Sequence, residues 1–291
     1  MKHELDLSQR TRSSRREFLA RGAQGVAALG CLAGGLRAEP FGIPAGFQTY
    51  PIAKEFVADV DGALRQLAAI GYRVAETCSP PGYAQFKPLM SLTPAELRKK
   101  FNAAGIVCES CHYGFRELQE NLPDRIAYAR ELGLKQMIIA SFGLPKDATL
   151  ADWRKAADDS NKLGAETLKA GIQLGFHNHG MELVELEGVL IFDELIRTFD
   201  PALVKMQCQI VNVAGAGMDP VSFIKKYPGR FLSLHLADRS SEGKQAPVGK
   251  GTIDWKGVFT AMRAAGMQNY YVEMNMDALR ESYPYLHSLR L

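Results

Sequence analysis

Short apolar runs alternate with stretches of helical period eight times between residue 46 and the C-terminus, which predicts an α/β protein of the (β/α)8 barrel class. A second observation concerns parity. In the later runs apolar residues occupy one set of alternate positions and polar residues the other, so each strand has an apolar face for covering helices and a polar face for a barrel interior. A third is the placement of the chemistry. Imidazoles and carboxylates gather at the C-terminal ends of those runs, the end at which barrel sites are built.

The elements follow in order. Residues 46–50 read as the first strand. Phe56, Val60, Leu64 and Leu67 then recur at helical spacing, with Gly71 as the stop. Residues 72–76 form the second strand. Thr93-Pro94-Ala95-Glu96 is a capping box with proline at the first helical position, and that helix ends near Gly105. The third strand covers 106–112, a helix 124–132 and the fourth strand 136–141. A long helix over 153–170 leads to the fifth strand at 172–179. Helix 189–199, strand 204–210, helix 220–227 and strand 231–236 follow. Helix 255–265, strand 270–274 and helix 278–289 complete the eight units.

Parity is explicit in four strands. Leu174 and Phe176 alternate with Gly175, His177 and His179. Val204, Met206 and Cys208 alternate with Lys205, Gln207 and Gln209. Leu232, Leu234 and Leu236 alternate with Ser233 and His235, and Tyr270, Val272 and Met274 with Tyr271 and Glu273. A doubly wound sheet gives no reason for polar residues on one parity in four successive strands.

The chain has 291 residues, room for one large barrel domain. A hydrophobic content of 46% with 23% charged residues is that of a globular protein able to bury a sizeable core. The net charge of +3 is partly due to arginines in the first 25 residues and gives no argument for nucleic acid. In the body of the chain no apolar run is long enough to span a membrane. Ser14-Arg15-Arg16-Glu17-Phe18-Leu19, followed by an Ala/Gly-rich stretch, resembles a twin-arginine export signal. Residues 1–38 are therefore expected to be the signal and 39–291 the barrel, with the export machinery as a partner and the periplasm as the destination. Cys108-x-x-Cys111 lies on a strand, where an odd offset sends the two thiols to opposite faces, so it does not read as a redox pair. The oligomeric state is left open, a homo-oligomer included.

The richest segment is Gly175-Phe176-His177-Asn178-His179-Gly180-Met181-Glu182, with two imidazoles and a carboxylate. His235 and Glu273 end later apolar runs. Imidazole and carboxylate converging from neighbouring strands make a ligand set for a divalent cation. Glu76 and His112, at the ends of the second and third strands, are candidates for binding substrate hydroxyls. Asp254-Trp255 reads as a helix cap with a packed indole.

From Gly46 onward the order of motifs resembles the xylose-isomerase-like barrel superfamily of sugar isomerases and epimerases. The resemblance is carried by Ala69-Ile70-Gly71-Tyr72-Arg73-Val74-Ala75-Glu76, His177-Asn178-His179-x-x-Glu182, Ala216-Gly217-Met218-Asp219-Pro220, Leu234-His235-Leu236-Ala237-Asp238 and Gly249-Lys250-Gly251-Thr252-Ile253-Asp254-Trp255. It implies a divalent metal (Mn, Zn, Co or Mg) held by Glu182, Gln209, His235 and Glu273, and a small carbohydrate as substrate. Glu182 and Glu273 would be the catalytic pair, moving a proton through an enediolate, with His177, His179 and Tyr271 orienting the sugar. The same enolisation could drive elimination from a 3-keto sugar. The chain departs from the family where Gln209 replaces an aspartate and Ala237 a lysine. These departures favour the alternative of a non-catalytic carbohydrate-binding barrel. The DNA-repair branch of the superfamily is disfavoured, because the chain lacks enough ligands for a multi-metal cluster.

Overall fold

The computed structural model describes residues 42–289. The export signal expected over residues 1–38 lies outside the described residues. Eight parallel strands close into a barrel in sequential order: β1 Gly46–Gln48, β2 Val74–Cys78, β3 Val107–Tyr113, β4 Gln136–Ile139, β5 Gln173–His177, β6 Val204–Gln209, β7 Phe231–Leu236 and β8 Asn269–Val272, which pairs back with β1. This is the (β/α)8 fold that the alternation predicts.

The helices start where the sequence supplies caps. Thr93 accepts from the Glu96 amide at 3.2 Å, and Glu96 accepts from the Thr93 amide at 2.8 Å, which closes the expected box ahead of Pro94. Asp254 caps Trp255–Ala264 by accepting from the Gly257 amide at 3.0 Å, and the Trp255 indole is buried, as the sequence indicates. Among the described residues no helix is long and apolar enough to cross a membrane.

Helix bounds depart furthest from expectation in two places. The first helical stretch is broken at Asp59, which leaves the helical region and caps Val60–Ile70 by accepting from the Gly62 amide at 2.8 Å. The helix expected over 124–132 begins earlier and spans Phe115–Leu132, with a kink at Asn121 beside Pro123. Two small antiparallel ladders, Glu185–Leu186 with Val189–Leu190 and Asp238–Arg239 with Gln245–Ala246, decorate loops after β5 and β7.

The outer core lies between the strands and the helices. Leu174, Phe176, Val204, Met206, Cys208, Leu234, Leu236, Tyr270 and Val272 all join it, so the expected parity holds at these positions. Strand β7 is the exception. The register between β6 and β7 shifts at Met206/Gln207, leaving Leu232 unpaired in the bulge. Leu232 therefore points into the barrel, not out of it: a Cβ built at Gly175 would lie 2.7 Å from both Leu232 Cδ2 and Ile138 Cδ1. Ile138 and Tyr271 are fully buried yet stand apart from the outer core. Together Ile138, Leu232 and Tyr271 form an apolar floor inside the barrel, beneath the polar residues.

The four described cysteines, Cys78, Cys108, Cys111 and Cys208, are buried free thiols. Burial pushes each thiol up from its ordinary value, which suits packing and not redox exchange.

Candidate functional site

Above the apolar floor is a buried polar layer centred on Glu76. One carboxylate oxygen accepts from Ser110 Oγ at 2.6 Å and Gln207 Nε2 at 2.8 Å. The other lies 2.9 Å from His112 Nε2 and 2.6 Å from His235 Nε2. Gln207 Oε1 in turn faces His112 Nε2 at 2.8 Å and His177 Nδ1 at 3.0 Å. The arrangement follows from register, since Glu76 pairs with Ser110, His177 with Gln207 and Tyr271 with His235. Glu76 thus sits at the centre of the layer with protein partners on both oxygens. His112 is nearly buried and stacks parallel to His235 at 5.3 Å.

The electrostatics follow from this packing. Burial would raise the Glu76 carboxyl, but His112 and His235 hold it well below its ordinary value. Burial would lower His235, yet Glu76 and Glu273 override it and raise the imidazole to about 10. His177 goes the other way. Burial, then the neighbouring His235 and His112, hold it well below its usual value, so it is neutral.

The mouth lies one strand position higher. Glu273 follows the last residue of β8, and its Oε2 is 3.1 Å from His235 Nδ1 and accepts a short hydrogen bond from Gln209 Nε2. His235, Glu273 and Gln209 are therefore in direct contact. Asn178 ties the ends of β5 and β6 together by accepting from the Gln209 amide at 3.1 Å. His179 packs edge-on against His177 at 4.8 Å. Glu182 is fully buried in a one-turn 3-10 helix, and its Oε2 accepts from the His179 amide at 2.7 Å. Burial pushes its carboxyl up to about 7, against the pull of that amide. Tyr271 lies deeper, with its ring against His235 at 6.0 Å and its hydroxyl 3.3 Å from Asn269 Nδ2.

Three buried polar atoms at the end of β6 and on the turn after β5 have no hydrogen-bond partner among the described residues: Glu182 Oε1, Gln209 Oε1 and His179 Nδ1. A buried acceptor left unpaired costs about 1–3 kcal/mol, so three on adjoining segments call for a ligand. Oxygen and imidazole atoms of this kind fit a divalent cation. Among the described residues, the side chains whose ligand atoms come within 4.8 Å of one another as a group of three are His112, His177 and His235, which Glu76 and Gln207 already engage; Glu182 does not form such a group with His235 and Glu273.

Gln207 is the central residue that motif reading passes over. It shares the parity of Gln209, two positions before it, and that parity was its available signal. Asp238 was also unforeseen as a hub. It is fully buried and accepts from the Gly249 amide, the Ile253 amide and Trp255 Nε1 at 2.9, 3.2 and 2.7 Å, which fixes the loop after β7.

A closed parallel barrel with carboxylate, imidazole and amide groups meeting at its C-terminal mouth is the class that fold and site define. The chain belongs to the xylose isomerase-like TIM barrel family, whose model matches residues 64–288. It is 25% identical over 200 residues to inosose dehydratase of Geobacillus kaustophilus (strain HTA426), and the match spans 61% of each chain. It superposes with a TM-score of 0.71 on a sugar phosphate isomerase/epimerase from Parabacteroides distasonis ATCC 8503, at 24% identity, covering 85% of this chain and 94% of that one. The zinc-bound IolI protein gives a TM-score of 0.65 at 13% identity, covering 84% and 94%. Likeness at these identities establishes the shared fold.

Proposed function

We propose that the barrel is a metal-dependent enzyme that enolises a carbohydrate ketone or aldehyde, in the manner of a sugar isomerase or epimerase. The observation that carries this reading is the set of unpaired buried atoms, Gln209 Oε1 beside the His235–Glu273 contact and Glu182 Oε1 and His179 Nδ1 on the turn after β5. Glu182, Gln209, His235 and Glu273 would hold the cation. A divalent ion there supplies Lewis acidity to the carbonyl and adjacent hydroxyl of a sugar. Glu76 orients His235 by accepting from Nε2, which leaves Nδ1 facing the mouth. Glu273 takes the proton from the carbon beside the carbonyl, and the electron pair moves into the enediolate. Glu182 delivers a proton to the opposite face, which inverts that carbon. His177 and His179 orient the hydroxyls.

A dehydratase is the second reading, favoured by the similarity to a protein named inosose dehydratase. From the same enediolate, the β-hydroxyl leaves as water with a proton from Glu182, and the electron pair closes a carbon–carbon double bond. Metal analysis of the purified protein, beside Glu273→Gln, tests the shared basis: about one equivalent of metal is expected, lost in the variant. Incubation with keto sugars and inososes in heavy water then separates the readings. Deuterium at the carbon beside the carbonyl marks the shared enediolate; an inverted carbon then marks epimerisation, and a product one water lighter marks dehydration. Absence of metal even after reloading, with no exchange, would overturn both.

The motif Ser14-Arg15-Arg16-Glu17-Phe18-Leu19 supports export by the twin-arginine route to the periplasm. Replacing Arg15 and Arg16 by lysine should hold the protein in the cytoplasmic fraction. Unchanged periplasmic recovery would refute that route.

A further inference from the structure

Beside the mouth lies a second cavity of about 440 Å³, walled by residues on either side of Glu182 and by the segment that follows β6. One cation, Arg239, lines it. Two amide side chains, Asn212 and Gln245, and apolar groups such as Leu183 and Val211 complete much of the wall, and among the described residues no carboxylate does. Among the described residues the Arg239 guanidinium has no ion-pair partner.

Its position is built. The Arg239 amide donates to Asp238 Oδ1 at 2.8 Å, and its carbonyl accepts from the Thr252 amide at 2.9 Å and Thr252 Oγ1 at 3.1 Å. Two glycines make room for the guanidinium. A Cβ at Gly215, itself part of the cavity wall, would lie 3.2 Å from Nη1, and one at Gly243 would lie 2.9 Å from Nη2. The fold therefore fixes the backbone of a charged side chain, clears space around its head and leaves that head without a counter-charge among the described residues. Arginine presents a planar fork of donors matched to carboxylate and phosphate oxygens.

We infer that Arg239 forms an anion subsite for the substrate, so that the sugar acted on at the mouth carries an acidic group. This rests on the catalytic reading above and narrows its substrate class to acidic carbohydrates. A carboxylate, as in a uronic or aldonic acid, and a phosphate share the required chemistry.

Isothermal titration of D-glucuronate, D-glucose 6-phosphate and D-glucose into wild type, Arg239→Gln and Arg239→Lys tests it. At least one acid should bind wild type about 10-fold more tightly than D-glucose. Arg239→Gln should lose that preference and Arg239→Lys retain part of it. The acid that binds better identifies carboxylate or phosphate as the source. Equal binding of acids and glucose to wild type, or an undiminished preference in Arg239→Gln, would overturn the inference. The guanidinium takes no part in the backbone bonds that hold the loop, so thermal denaturation of both variants should match wild type. Metal content measured on the same samples separates failure of the catalytic reading, which leaves anion preference intact, from failure of the subsite.

Discussion

Replacing Glu76 by glutamine perturbs the whole polar layer without changing its volume. The carboxylate presently accepts four hydrogen bonds, two on each oxygen, from Ser110, Gln207, His112 and His235. An amide keeps one acceptor oxygen and turns the other into a donor facing donors. Two bonds are lost, either those from Ser110 and Gln207 or those from His112 and His235 according to which way the amide turns, and both imidazoles lose the carboxylate charge that stabilises them. Leaving buried donors unpaired costs about 1–3 kcal/mol each, and breaking a buried charge pair about 3–5 kcal/mol, so a loss of about 3–5 kcal/mol is expected. For a domain of this size each kcal/mol moves Tm by about 2–4 °C, which places the drop near 10 °C. Thermal denaturation followed by circular dichroism measures it, with Ser110→Ala as a control expected to cost about 1 kcal/mol. On the proposed metal reading, cation affinity also falls about 10–100-fold, because His235 loses the partner that orients it. A Tm within about 2 °C of wild type would refute the view that Glu76 organises the layer.

Other outcomes follow from the same geometry. Glu182→Gln keeps the volume and the bond from the His179 amide, so Tm should hold within about 3 °C while proton exchange falls at least about 100-fold; persistent exchange would remove Glu182 from the mechanism. Glu194 accepts from Arg154 Nε at 2.6 Å and from Arg197 Nε at 3.2 Å, and these guanidinium bonds push its carboxyl down to about 2. Its folded value lies below its ordinary one, so its stabilisation is complete above pH ~4.5 and is lost as pH falls toward ~2. Solvent screening at the exposed arginines limits this to about 1 kcal/mol, and urea titrations of Glu194→Gln should show a flatter pH dependence across that window. Gly71 has φ of 131°, and a Cβ there would lie 2.0 Å from Tyr283 Cζ. Gly71→Ala should therefore cost about 2–4 kcal/mol by calorimetry, and a Tm like that of wild type would contradict the packing described.

The sequence exposes what is periodic and local. Eight strand–helix alternations, the cap at Thr93 and the parity of β5, β6 and β8 are legible because each depends on neighbours a few residues apart. The meeting of His235, Gln209 and Glu273 is nearly as legible, since residues of one parity at the ends of adjacent parallel strands must converge. What depends on pairing across the barrel is not legible. Glu76 and His235 are 159 residues apart, and no local pattern says that Glu76 fills its bonding capacity within the protein. Leu232 points inward because the register between β6 and β7 slips by one residue, and parity counting within one strand has no access to such a slip. The orientation of Glu182 is set by a turn after β5, where strand period no longer applies.

The apolar floor of Ile138, Leu232 and Tyr271 has a spectroscopic consequence. It packs beneath the polar layer, in which Glu76 and His235 are both fully buried. The proton between Glu76 and His235 Nε2, with heavy atoms 2.6 Å apart, is shielded below by the floor and above by Glu273 and Gln209. It should exchange slowly enough to give a far-downfield proton resonance in water. Filling Gly175 with alanine, which drives Ile138 and Leu232 apart, should broaden that signal before it changes the far-ultraviolet spectrum.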